Sequence, residues 1–275
     1  MKVELCASTV QALIEAQKLG VDRVELCSCL EQGGLTPSMG FVEFALDLGL
    51  ECHVLLRPRA GGFVYSPAEF ALILQDLSVL SSTSVQGIVV GALTSKNQVD
   101  REALIEIRNR WTKTITFHRA FDDLVEWESD LSWLLSIGVD RVLSSGIAHS
   151  VETGIPILQK MMKLANGKME IMAGGGVNLS NISKIIEKVT PDAVHFSATN
   201  KQPMDEGSKF SEIQWVFDPI KAKKLVETFG KELAVKVVEE IQNTKAVFEF
   251  ISFATKIAFF MFLFIFNFIF FKQGI

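Results

Sequence analysis

Short β-branched or apolar runs recur along the chain, and each is followed by a stretch whose apolar positions return every three to four residues. The runs are KVELCA from residue 2, RVELC from 23, CHVLLRPR from 52, GIVVGAL from 87, TITFHRAF from 114, RVLSSG from 141, EIMAGGG from 170 and AVHFSA from 193. Amphipathic segments lie between them, among them Thr9–Leu19, Pro67–Leu80, Asp100–Trp111, Trp127–Ile137, Gly154–Ala165 and Asn178–Val189. Gly20, Gly49 and Gly138 end helices just before the next strand. This order predicts parallel strands joined by helices. Eight units of about 27 residues suit a single closed (β/α)8 TIM-type barrel of ~250 residues better than a doubly wound sheet, although the period alone fits both. An internal echo, LGVDRVEL at 19–26 against IGVDRVLS at 137–144, is what repeated βα units produce.

After the eighth strand the pattern predicts a polar loop over Lys201–Ser211 and a closing helix over Phe217–Phe229, which assigns residues 1–230 to the barrel. Residues 231–275 form a C-terminal extension outside it, with an amphipathic helix over 231–245 and a Phe-rich end. Eleven of the 21 phenylalanines lie in the last 28 residues, so this end is out of character with the rest. As a helix Ile257–Phe271 spans only ~22 Å, short of a ~30 Å hydrocarbon core. Its alternate phenylalanines have the period of a strand or an aggregating segment. It reads either as a tail anchor, the one case in which a membrane is a partner, or as translation of an AT-rich non-coding stretch, a gene-model artefact.

Composition narrows the class. With 48% apolar and 21% charged residues the chain is globular rather than disordered or fibrous. A net charge of -5 without a basic block excludes nucleic acid as a partner. Four cysteines without a secretory leader predict a reducing, cytoplasmic setting, and leave metal, redox or core roles for the thiols.

In a barrel, functional groups gather at the C-terminal ends of the strands. Glu4 and Cys6 share one face of the first strand, and Glu25 and Cys27 one face of the second. Pointed outward, the two carboxylates would lie under apolar helices at several kcal/mol each, so all four are placed inside. The same alternation pairs Leu55 with Arg57, Thr116 with His118, and His195 with Ser197. Such an interior is either a functional site or a self-satisfied ionic layer in which Arg57 neutralises Glu4 and Glu25. Cys6 and Cys27 occupy equivalent places on neighbouring strands ~4.8 Å apart, while two metal–thiolate bonds of ~2.3 Å span ~4.6 Å. A two-coordinate soft ion fits, and thiolates select Cu(I) or zinc. Cys29 is either a third ligand or a loop thiol; Cys52, at the opposite end of its strand, reads as core. Gly174, Gly175 and Gly176 lead into a helix and offer N–H groups to an anion, with Arg57, Arg59, His195 and Ser197 nearby. Glu25 and His118, with Asp122 orienting the imidazole, are the acid/base candidates. His149 and His53 are given no role.

These strings resemble the CutC copper homeostasis family: VELCAS at 3–8, DRVELCSCLEQGGLTPS at 22–38, LLRPRAGGFVYS at 55–66, GALT at 91–94, FHRAFDD at 117–123, SSG at 144–146, AGGGV at 173–177 and HFSA at 195–198. The resemblance runs from about residue 2 to 228. It implies a barrel that forms homo-oligomers in the cytosol and a Cu(I) site at the cysteines standing here as Cys6 and Cys27. Gly62 stands where the family commonly has Asp, and Ser144 where Thr is common. Two functions follow: a copper(I)-binding protein, or an enzyme acting on a small anionic metabolite, a phosphate or carboxylate.

Overall fold

The eight runs become eight parallel strands: β1 (Lys2–Ala7), β2 (Arg23–Leu26), β3 (Cys52–Leu55), β4 (Gly87–Val90), β5 (Thr114–Phe117), β6 (Arg141–Ser144), β7 (Glu170–Ala173) and β8 (Ala193–Phe196). Each pairs with the next, and β8 pairs back onto β1, so the sheet closes without an edge. The computed structural model describes residues 1–203, 213–232 and 234–236.

Helices α1 (Val10–Leu19), α2 (Met39–Asp47), α3 (Pro67–Leu80), α4 (Arg101–Arg110), α5 (Trp127–Ser136), α6 (Ile155–Ala165) and α7 (Ile182–Val189) alternate with the strands. Their starts follow local chemistry. Thr9, Ser38 and Asp100 accept from N–H groups of the first turns, and Ser66 forms a capping box with Glu69 ahead of Pro67. Gly20 ends α1 at φ 64, donating back to the carbonyls of Ala16 and Gln17. The α1 stripe Ala12, Leu13 and Ala16 is fully buried.

The VDRV echo has a structural cause. Asp22 accepts from the N–H of Val3 at 2.7 Å and Asp140 from that of Ile115 at 2.8 Å, each holding the start of its strand to the strand before. The next residues, Arg23 and Arg141, turn inward and both pair with Glu170. Arg23 also binds Glu4 at 2.5 Å, and Arg141 donates to Thr116 at 3.0 Å. An ionic layer therefore fills the lower barrel, but Arg23 and Arg141 neutralise it, not Arg57. Their strand positions place them inside the barrel wall, whereas Arg57 lies beyond the end of β3.

Two boundaries depart from the sequence pattern. The stretch Lys201–Ser211, read as a polar loop after β8, begins inside β9 (Thr199–Pro203), which pairs antiparallel with β10 (Ile213–Phe217). Asp218 then accepts from the Lys221 N–H at 2.9 Å and caps a helix over 219–232, so Phe217 ends a strand instead of opening a helix. The segment beginning at Asn178 opens with a turn: Asn178 Oδ1 takes the Ser180 N–H at 2.9 Å, and α7 starts only at Ile182.

The chain divides into two units, Met1–Phe229 and Gly230–Ile275. The Phe-rich segment 257–271 lies outside the described residues. Among the described residues no helix is long and apolar enough to cross a membrane.

Candidate functional site

At the C-terminal ends of the strands the barrel opens into a cavity of about 540 Å³. Its floor is built by β1, β2 and β8. Cys6 and Cys27 are 4% and 1% exposed, packed against Leu55 and Val89, with their Sγ atoms 3.6 Å apart. The thiols thus converge more closely than the strand spacing. Both sulfurs could hold one soft ion between them, with thiolate bonds of ~2.3 Å. Cys6 also stands 3.6 Å from Glu25 Oε1. Cys6, Glu25 and His195 place one ligand atom each within 4.8 Å of one another, the one such group among the described residues. Cys6 is therefore common to a thiol pair and to a Cys–Glu–His set, and Cys27 does not join the second.

Burial and neighbours set the protonation of this floor. The Cys27 hydrogen bond, burial and the Glu25 charge push the Cys6 thiol well above its ordinary value. Burial also pushes Glu25 up, reinforced by Glu4. At Glu4 burial is outweighed by the hydrogen bond with His195, at 2.7 Å from Nδ1, and by Arg23, so its carboxylate stays ionised. His195 is raised, because Glu25 and Glu4 together overcome its burial. The floor thus sets a thiol and a carboxyl that burial pushes up beside an imidazole that its two carboxylate neighbours raise.

The other expected site residues fall into place unevenly. Arg57 lines the cavity, but its Nη atoms are taken by the carbonyls of Gln32, Gly34 and Gly61 at 2.6–2.8 Å, and its guanidinium lies 5.1 Å from the Phe63 ring centre. Arg59 is not an anion ligand here: it pairs with Glu69 and donates to the carbonyls of Gly62 and Val64, pinning the loop before α3. Gly174 is a packing residue, since a Cβ there would stand 2.6 Å from Leu143 Cδ1 and its N–H goes to Ser144. Gly175, Gly176 and Ser197 do line the cavity. His118 lines it too, buried, with Nδ1 accepting from the Ala120 N–H at 3.0 Å. Asp122 does not orient that imidazole. Its carboxylate accepts from Ser144, Ser145 and the Ile147 N–H and pairs with Arg119 at 2.9 Å.

Cys29 is an exposed loop thiol, outside the metal-ligand group. Cys52 is buried, donates to the Leu50 carbonyl at 3.3 Å and is pushed up to about 12 by burial and Glu51, as a core thiol would be. Sequence reasoning missed Arg119 and Lys221, which line the cavity. Arg119 had a signal, the i,i+3 spacing to Asp122 within FHRAFDD; Lys221 had none, because the β9–β10 pairing that brings it to the rim was not foreseen.

A closed (β/α)8 barrel that carries a thiol pair, a carboxyl and an imidazole at its mouth is the class these features define. A model described as "CutC family" matches residues 1–200, and the chain belongs to that family. A CutC family protein of Glaesserella parasuis is 38% identical over 204 residues, 74% of this chain and 84% of the relative. One from Bacteroides thetaiotaomicron is 37% identical over 71% of this chain and 80% of the relative. Among solved structures, one described as a copper homeostasis protein CutC from Streptococcus agalactiae superposes with a TM-score of 0.67 at 30% identity, covering 71% of this chain and 98% of the other.

Proposed function

We propose that the protein binds Cu(I) in the cytoplasm as part of copper homeostasis, with Cys6 and Cys27 as the thiolate ligands. The observation that carries this reading is the pair of buried thiols 3.6 Å apart, one of which, Cys6, lines an open cavity. Buried thiolates in an apolar wall select a soft ion. Zinc would call for four donors. His195 or Glu25 supplies the third ligand. Both thiols lose their protons when the metal binds, and the ion supplies soft-acid coordination in return.

Competition with a chromophoric Cu(I) chelator under reducing conditions is expected to give one ion per chain. Cys6→Ser should lose nearly all affinity, because Cys6 belongs to both ligand sets; Cys27→Ser should lose at least a hundredfold; His195→Ala measures the third ligand. Cys29→Ser and Cys52→Ser should bind as wild type. Wild-type affinity in the Cys6→Ser, Cys27→Ser double variant would overturn the assignment.

A further inference from the structure

We propose that the rim of the barrel cavity binds the phosphate group of a small phosphate monoester through Arg119 and the backbone N–H groups of Gly175, Gly176 and Val177. This site is separate from the thiol floor and does not rest on copper.

The loop after β7 supplies the donors. Gly175 and Gly176 adopt φ values of 89° and 90°, and the N–H groups of residues 175–177 make no hydrogen bond among the described residues while these residues line the cavity. Successive N–H groups on such a turn form a concavity that suits an anion. Arg119 lies against it: a Cβ at Gly175 would stand 2.9 Å from Arg119 Cζ, so only glycine lets the guanidinium approach. Asp122 holds Arg119 Nε at 2.9 Å and Ser145 holds Nη2 at 3.0 Å, which leaves Nη1 without a partner among the described residues. The guanidinium is thereby fixed in direction, with donor capacity to spare.

The cavity independently favours an anion. Its wall carries Arg57, Arg119 and Lys221, and among the described residues Glu25 as the one acidic side chain, in a protein whose net charge is -5. Arg57 and Lys221 make no ion pair among the described residues. Arg57 and His118 are each 6% exposed, and each keeps a buried polar atom, Nε and Nε2, without a partner. An unpaired buried polar group is costly, and the wall keeps these two together with Glu25 Oε2. Phe63 packs on both, 4.8 Å from the His118 ring centre. A volume of about 540 Å³ exceeds the needs of a bare ion and accommodates an esterified organic group between the rim and Phe63.

The test is an amide NMR titration of the full chain at constant ionic strength with glycerol 3-phosphate, inorganic phosphate, succinate and chloride. Both phosphates should shift the amides of residues 175–177 saturably, and the ester should bind more tightly than inorganic phosphate. Arg119→Met should weaken binding at least tenfold. Cys27→Ser, outside the cavity lining, should bind phosphate as wild type does, which separates this site from the copper reading. Absence of a saturable shift at residues 175–177 up to about 10 mM would overturn the proposal. So would equal affinity for succinate, or wild-type affinity in Arg119→Met. If Arg119→Met fails to fold, the wild-type shifts at residues 175–177 and at the Arg119 guanidinium protons decide the question.

Discussion

His118 shows what one side chain contributes. With Nδ1 accepting from the Ala120 N–H, its proton sits on Nε2, and burial together with the Arg57 charge pushes its pKa down to about 3. The unfolded chain binds a proton at this residue once the pH falls below ~6.5, while the folded state resists until about 3. Its contribution to stability is therefore complete above ~6.5 and declines as the pH falls through that window. Relative to His118→Gln, the wild type should lose about 2 kcal/mol between pH 7 and pH 5, read from urea unfolding at each pH. A pH-independent difference would place the imidazole in a wetter, ordinary environment. At this scale the sequence was informative wherever cost decides. Unpaired carboxylates under apolar helices are expensive, so Glu4 and Glu25 had to point inward, and their faces carried Cys6 and Cys27 with them. Partner choice was not legible, since Glu4 could have been neutralised by any interior cation and took Arg23 and His195.

Between elements, Asp122 does more than its neighbours suggest. It sits in the short 3-10 turn Arg119–Asp123 after β5 and binds the hydroxyls of Ser144 and Ser145 and the N–H groups of Ser145 and Ile147, all at the end of β6. Asp122→Ala leaves several of these donors unsatisfied and releases Arg119. Equilibrium unfolding should show a loss of about 2–4 kcal/mol. A merely orienting partner of His118 would cost far less, so retained stability would restore that role. Ser144, at a position where the family commonly has Thr, donates to Asp122 at 2.6 Å, a bond that either hydroxyl can make. The barrel strands and most helices were readable from local period, and Gly20 as a helix end from its residue type. The β9–β10 pairing was not, because Thr199–Pro203 is polar and its partner, Ile213–Phe217, lies further along the chain.

For the whole molecule, closure of eight strands makes the barrel self-sufficient, and we propose that residues 1–230 fold without the extension. A chain ending at residue 230 should unfold in one cooperative transition and keep its near-UV circular dichroism; a molten spectrum would move the boundary. The eight barrel strands and their order, their alternation with helices, and the inward thiols were determined by the sequence alone, because each depends on periodicity and burial cost over a few neighbouring residues. Which groups meet was decided by the closed barrel. His195 and Glu4 are 191 residues apart in sequence and bond only because β8 returns to β1 in one register. Arg57 lost its Nη donors to carbonyls of two loops, and Arg119 gained its place against Gly175 through Asp122 and Ser145. Local pattern fixes which face of a strand a residue occupies, whereas a hydrogen-bond partner is set by register and loop path, which emerge only when the last strand meets the first.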